Sequence, residues 1–192
     1  MIYIWQDLED VKNKDIGVYD REGSADRFLL LRGRKLEEVE FQPIPTVEFE
    51  IPMKRVQQFD CLANNTLIPL VSQRLRMLLE NIAPNDVQFI PAKLMCKDGV
   101  LENYYFLNIT HFIKGLDHER SDYTMMLDLP NIRGFRYAVY KTNCLGAHYL
   151  AREEEYKGHL LVNDAIKRLF EKHKITGVWI VRPEEYYSRL YG

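Results

Sequence analysis

The sequence has only three cysteines, no long apolar run and no concentration of positive charge. Cys61, Cys96 and Cys144 are odd in number and far apart, which predicts reduced, buried thiols and excludes a disulfide framework or a zinc knuckle. Apolar runs such as Phe28–Leu31 are far shorter than the roughly 20 residues that cross a bilayer. The segment Met1–Asp7 lacks the features of a secretory signal and reads as a strand. We therefore expect a cytoplasmic protein without a membrane partner.

The net charge of −2 is unevenly distributed. Residues 1–26 contain three bases against seven acids, a net charge of −4; the acids are Asp7, Glu9, Asp10, Asp15, Asp20, Glu22 and Asp26. A nucleic-acid partner normally requires a basic face, so we expect none. The acidic segment fits either a surface that faces a basic partner or an ordinary solvated surface.

The sequence shows no catalytic motif. Its ten glycines form neither GxGxxG nor GxxxxGK, so no nucleotide cofactor is predicted. The histidines lack the spacing of a zinc site, and no metal is predicted. Cys144 and His148 are the nearest approach to a nucleophile and its base, but neighbours in a loop are weak evidence of catalysis. We therefore expect no catalytic residue. The alternative is a small hydrolase or transferase whose dispersed site contains His111, Asp117 and Cys144.

One stretch of the chain is echoed later at a constant offset. Leu70–Ile90 returns as Leu161–Val181, 91 residues on and without a gap. Ser72 and Asn163 stand where a helix N-cap is expected, and apolar residues follow at spacings of three and four. We expect helices over about 69–81 and 163–174, whose buried stripe is Leu75, Leu78, Leu79, Ile166, Leu169 and Phe170. Either of two explanations fits the echo: a duplication within the chain, or the periodicity that unrelated helix–strand units have in common.

The remaining pattern is rich in strands. Asp98-Gly99 predicts a hairpin joining two apolar runs, Val87–Met95 and Leu101–Ile109. Prolines around Val47–Ile51 favour a place at a sheet edge. Further strands are predicted at Phe28–Leu31, Val39–Phe41, Phe135–Tyr140, Ala147–Leu150 and Gly177–Val181. These elements predict an α+β fold, an antiparallel or mixed sheet with helices packed on one face, including two echoed helix–strand units. Residues 1–192 are long enough for one domain.

A group of segments, taken in order, carries a family resemblance. They are the helix from Ser72, the strand Val87–Leu94, the strand Tyr104–Asn108, the segment Leu116–Ser121, and the closing segments Ala147–Leu150, Leu161–Lys167 and Ile175–Val181. In this order they resemble the eleventh immunity-protein family of bacterial polymorphic toxin systems, formerly a domain of unknown function. The resemblance covers Phe41–Tyr187, and residues 1–40 match less. The chain departs from the family pattern at Gly115, where a cysteine often precedes the Leu-Asp pair.

The resemblance implies a function in interbacterial competition. A family member is expected to be a cytosolic antidote that binds and neutralises a cognate toxin or effector domain encoded nearby, without doing chemistry. Aromatic residues and the acidic groups at residues 1–26 and 153–155 are available for such an interface. The sequence leaves the toxin-contact residues and the oligomeric state open.

Overall fold

The computed structural model describes residues 1–8, 11–127 and 131–186. Its strands are β1 (Ile2–Asp7), β2 (Val18–Tyr19), β3 (Thr46–Glu48), β4 (Cys61–Leu62), β5 (Leu70–Ser72), β6 (Val87–Cys96), β7 (Gly99–Ile109), β8 (Phe112–Ile113), β9 (Asp122–Met125), β10 (Ile132–Tyr137), β11 (Leu150–Glu153), β12 (Leu160–Asn163) and β13 (Val178–Val181). The α-helices are α1 (Met53–Val56), α2 (Gln73–Ile82) and α3 (Asp164–His173). Four 3-10 helices cover Asn13–Asp15, Arg27–Leu31, Glu38–Phe41 and Pro183–Glu185. Within the described ranges, no helix is long and apolar enough to cross a membrane.

The strands form two principal sheets. One has the order β2-β3-β6-β7-β5-β4 and the other β13-β1-β12-β11-β8, while β9 and β10 pair separately. Each principal sheet is mixed, because β3 runs parallel to β6 and β8 runs parallel to β11. The predicted α+β class with a mixed sheet therefore holds. The prediction of one sheet with helices on one face was too simple, since the chain divides its strands between two sheets.

The two echoed segments fold into the same unit. In the first, β5 and β6 are both antiparallel to β7, which lies between them, and α2 connects them. In the second, β12 and β13 are both antiparallel to β1, and α3 connects them. The register of the strand pairs also corresponds. Val71 lies between Cys61 and Tyr105 on the neighbouring strands. Its counterpart Val162 lies in the same way between Leu150 and Tyr3. The echo therefore extends beyond shared periodicity to equivalent strand pairing.

Both long helices begin as the sequence predicts. The Ser72 hydroxyl accepts a hydrogen bond from the Leu75 backbone N–H, and the Asn163 side chain accepts from the N–H groups of Ala165 and Ile166. These bonds satisfy donors that the first turn leaves unpaired. The residues before each cap form β5 and β12, so α2 starts later than the predicted position 69. Each helix therefore follows directly after a strand.

The sheets and helices share a central apolar cluster, with another cluster on the far side of each sheet. Alternate strand residues divide between the clusters: Val71 and Tyr3 face the central one, whereas Leu70 and Ile4 face the outer ones. Of the predicted helical stripe, four residues are buried in the central cluster: Leu75, Leu79, Ile166 and Phe170. Leu78 and Leu169 are only partly buried, which corrects the prediction for both.

The two units contact each other reciprocally through the loops that follow their helices. After α3, the Thr176 backbone carbonyl accepts a hydrogen bond from the Cys61 N–H at 3.0 Å, at the start of β4. After α2, the Asp86 carboxylate accepts one from the Tyr149 N–H at 2.7 Å, just before β11. Each helix–strand loop therefore contacts the strand that pairs with the first strand of the other unit, β4 beside β5 and β11 beside β12. The second of these junctions contains the polar cluster described below.

Three local predictions in the N-terminal part were wrong. Phe28–Leu31 lies in a 3-10 helix because the Asp26 side chain accepts the Phe28 N–H and caps a helical turn. Val39–Phe41 also lies in a 3-10 helix, which begins with a capping box. The strand β3 is not at the sheet edge, because the two-residue β2 pairs with its outer side. The hairpin at Asp98-Gly99 is confirmed.

Candidate functional site

The sheet junction after α2 brings one carboxylate and two imidazoles together. Asp86 precedes β6, His111 connects β7 to β8, and His148 precedes β11. Nδ1 of His148 lies 2.8 Å from Oδ1 of Asp86, and Nε2 of His111 lies 3.5 Å from the same oxygen. The two imidazole rings are 4.0 Å apart between centroids, at an interplanar angle of 35°. Three distant parts of the chain thus form one compact polar group.

Neighbouring backbone groups fix the orientation of these side chains. Oδ2 of Asp86 accepts the Tyr149 N–H, which leaves Oδ1 directed at the histidines. Nε2 of His111 also lies 2.9 Å from the Asn85 carbonyl oxygen. Asp86 is only 3% exposed, whereas both histidines are partly exposed. The group is therefore rigid on its carboxylate side and open on its imidazole side.

The sequence predicted no metal, catalytic or cofactor residue, and none of its short motifs pointed to this group. Asp86 and His148 are 62 residues apart, so no local spacing connects them. The available signal was the echo: Asp86 occupies the loop after α2, and the structure shows that this loop contacts the other unit. Only long-range strand pairing, which the sequence did not supply, would have located its partners.

The dispersed enzyme site does not assemble in the described chain. His111 contacts Asn85 and Asp86, whereas Asp117 accepts the Arg120 N–H and pairs weakly with its side chain. Cys144 lies near Glu153, and burial, with a contribution from that carboxylate, raises the pKa of its thiol to about 11. The thiol is therefore protonated near neutral pH and is a poor nucleophile. Among the described residues, no hydrogen bond joins Cys144 to His148, whose Nδ1 pairs with Asp86.

The thiols and Gly115 are explained by packing. All three cysteines are free; Cys61 is buried as predicted, whereas Cys96 and Cys144 are only partly buried. A Cβ atom at Gly115 would lie 2.9 Å from the Cys144 sulfur. A side chain at position 115 would therefore require Cys144 to move.

The acidic segments are less available for an interface than the sequence suggests. The Glu153 carboxylate is buried and accepts the N–H groups of Gly115 and Glu155. Asp15 pairs with Arg55, and Asp20 accepts backbone N–H groups within its own turn. Two of the seven N-terminal acids, Glu9 and Asp10, lie outside the described residues, as does Tyr187 at the end of the predicted family region. Several of these carboxylates therefore stabilise local structure.

A group of apolar side chains is exposed at the end of β9. Met125 is 48% exposed, Met126 is 43% exposed and Leu127 is 99% exposed. The strand pair that carries them is anchored by Ile132 and Phe135, which are buried in an outer cluster. The β9–β10 pair thus holds an apolar surface outside the two principal sheets. We call Met125–Leu127 the apolar tip.

The comparisons with known proteins identify a family for this chain. The model of an immunity protein family, Imm11, matches residues 6–182. The chain therefore belongs to the Imm11 immunity protein family, as the sequence resemblance implied. No curated protein gives a significant match to the chain.

Proposed function

We propose that this protein is an immunity protein that binds and neutralises a cognate toxin in the cytosol of the cell that makes it. The observation that carries the proposal is the match to the immunity family over residues 6–182, nearly the whole chain. We further propose that residues 1–192 act as one domain, since both sheets contribute to one central apolar cluster. The partner would be the toxin domain of a neighbouring gene.

The chemistry of the chain supports neutralisation by binding. Burial raises the pKa of the Cys144 thiol to about 11, and among the described residues Nδ1 of His148 pairs with Asp86, with no hydrogen bond joining His148 to Cys144. Stoichiometric protection needs a stable interface instead, typically about 1,200–2,000 Å² in total area with a few anchoring side chains. We therefore assign protection to a surface rather than to a reaction.

We propose the apolar tip, Met125–Leu127, as an anchor for the toxin. Exposed apolar groups of this kind are costly to leave in water and often mark binding surfaces. Methionine is also adaptable, because its unbranched side chain packs against irregular surfaces. The buried residues Ile132 and Phe135 hold the strand pair in place, so little ordering would be needed on binding.

Pull-down and co-expression with the toxin domain of the neighbouring gene test this function. We expect the wild-type protein to retain the toxin domain and to restore growth. A Met126→Glu, Leu127→Glu variant should weaken binding at least about 10-fold, because it places two charges in a desolvated contact. Val39→Glu is the control, since Val39 is 78% exposed on a 3-10 helix in another part of the chain.

The outcomes separate the two functional classes. If the tip variant binds normally, the anchor is elsewhere while the immunity function stands. If the wild-type protein fails to bind the neighbouring toxin domain, or binds it without protecting the cell, the small-enzyme alternative is favoured. An isolated gene beside metabolic genes would favour that alternative as well.

A second prediction concerns the side chains that an enzyme would need. We expect a triple variant, His111→Gln, Cys144→Ser and His148→Asn, to fold and to protect cells from the toxin. The replacements are similar in size, and the two amides can keep hydrogen bonds to Asn85 and Asp86. Growth under toxin expression measures the result, with circular dichroism as the folding control. Lost protection with folding and toxin binding intact would contradict protection by binding alone.

A further inference from the structure

The junction formed by Asp86, His111 and His148 has the composition of a transition-metal site. Two imidazoles and one carboxylate are a common ligand set for Zn²⁺, Co²⁺, Ni²⁺ and Fe²⁺. The three residues each offer a ligand atom, and these atoms all lie within 4.8 Å of one another. In tetrahedral geometry, metal–ligand bonds of roughly 2.0–2.2 Å place adjacent ligand atoms about 3.3–3.6 Å apart. The 3.5 Å from Oδ1 of Asp86 to Nε2 of His111 matches this separation, and the 2.8 Å from Oδ1 to Nδ1 of His148 would lengthen by roughly 0.5–0.8 Å on ligation.

The charge balance at the junction is compatible with a bound cation, because Asp86 accepts hydrogen bonds from Tyr149, Leu150 and His148 but has no permanently charged partner among the described residues. A carboxylate buried as deeply as that of Asp86 needs a countercharge or several hydrogen bonds. Within the described part of the chain, its ion-pair partners are His111 and His148, and no lysine or arginine pairs with it. An imidazole carries a positive charge only when it is protonated. A divalent ion would bring positive charge to the junction even while both imidazole rings are neutral.

The surroundings resemble the support that metal ligands usually have. Backbone N–H groups of Tyr149 and Leu150 lie 2.7 and 3.5 Å from Oδ2 of Asp86, so the carboxylate is oriented before any ion binds. Such outer contacts fix ligand geometry and strengthen binding. Both imidazoles are partly exposed, which gives an ion an entry path and leaves room for a water ligand.

We propose that Asp86, His111 and His148 bind one divalent transition-metal ion, of the Zn²⁺ class, at the junction between the two sheets. The ion replaces ring protons at the coordinating nitrogens and ties the loop after α2 to the start of β11. It acts as a structural cross-link between the echoed units. This site is independent of the proposed toxin surface, because Met125–Leu127 belongs to the β9–β10 pair.

Calorimetric titration of the tag-free, chelator-treated protein with Zn²⁺ tests the site directly, without toxin. We expect one equivalent to bind and the melting temperature to rise, because the ion binds only the folded arrangement. Co²⁺ in place of Zn²⁺ should give the visible absorption of a nitrogen- and oxygen-bound ion. Failure of the wild-type protein to bind either ion would overturn the proposal.

Two conservative variants separate ligation from hydrogen bonding. His148→Asn places an amide where Nδ1 stands, and His111→Gln places one near Nε2, so both can keep the present hydrogen bonds. Each should weaken Zn²⁺ binding at least about 10-fold while the circular dichroism spectrum is unchanged. His173→Gln, at the end of α3, is the matched control and should bind as the wild-type protein does. Equal binding by the two variants and the control would show that surface histidines, not this junction, hold the ion.

Discussion

Truncation of Leu79 or Phe170 to alanine should destabilise the protein by about 2–5 kcal/mol. The two residues are equivalent in the echoed units, and both are buried in the central cluster. Phe170 also packs edge-to-face against Trp5, with ring centroids 5.0 Å apart. Each truncation removes apolar contacts and leaves a cavity between sheets that cannot close without moving a helix. The free energy of unfolding in urea, compared with that of the wild-type protein, measures the loss.

Leu78 and Leu169 provide matched controls on the same helices. They are the next equivalent pair along the echo, but both are only partly buried. Their truncation to alanine should cost about 1 kcal/mol, because a half-exposed leucine gains only part of its transfer free energy on folding. Equal losses for the buried and half-buried pairs would show that the helix faces are assigned wrongly.

The features that the sequence predicted correctly are local. The N-caps at Ser72 and Asn163 and the hairpin at Asp98-Gly99 depend on neighbours within a few residues. The sequence also contains the cap that was missed: Asp26 precedes Arg27–Leu31 and accepts the Phe28 N–H, which produces a 3-10 helix where an apolar run suggested a strand. Side-chain capping and strand propensity compete there, and the cap prevails.

The division into two sheets and the metal-like junction depend on contacts between distant residues. The N-terminal strand β1 inserts between β12 and β13, although Ile2 pairs with Asn163 near the other end of the chain. Periodicity identifies which face of a strand is buried but does not identify its neighbour. Asp86, His111 and His148 are brought together by strand pairing in both sheets and by contacts between their loops. Their sequence spacing therefore contains no signature of the site.

Acidification should destabilise the protein through His159, a buried histidine whose neighbours are mostly aromatic. Its Nδ1 lies 2.5 Å from the Tyr140 hydroxyl, and rings of Phe135, Tyr156 and Tyr186 surround it. Burial lowers the pKa of His159 to about 3 from its usual 6.5. The folded protein thus keeps the ring neutral, whereas the unfolded chain protonates it as the pH falls below about 6.5. Stability is retained above that pH and is lost progressively as the pH falls toward 3.

Between pH 7 and pH 5, His159 should lower the free energy of unfolding by about 2 kcal/mol, because the unfolded state takes up one more proton than the folded state. His159→Asn should flatten the dependence of unfolding free energy on pH over this range, because asparagine takes up no proton. Its amide oxygen can still accept the hydrogen bond from the Tyr140 hydroxyl. The slope is the quantity to compare, since the smaller side chain also lowers stability at every pH.

Glu153, whose pKa is raised by burial, is present in both proteins and cancels in the comparison. His173→Gln, at the end of α3, is the control for the loss of a partly exposed histidine. A wild-type slope in the His159 variant would show that the acid sensitivity arises from other groups.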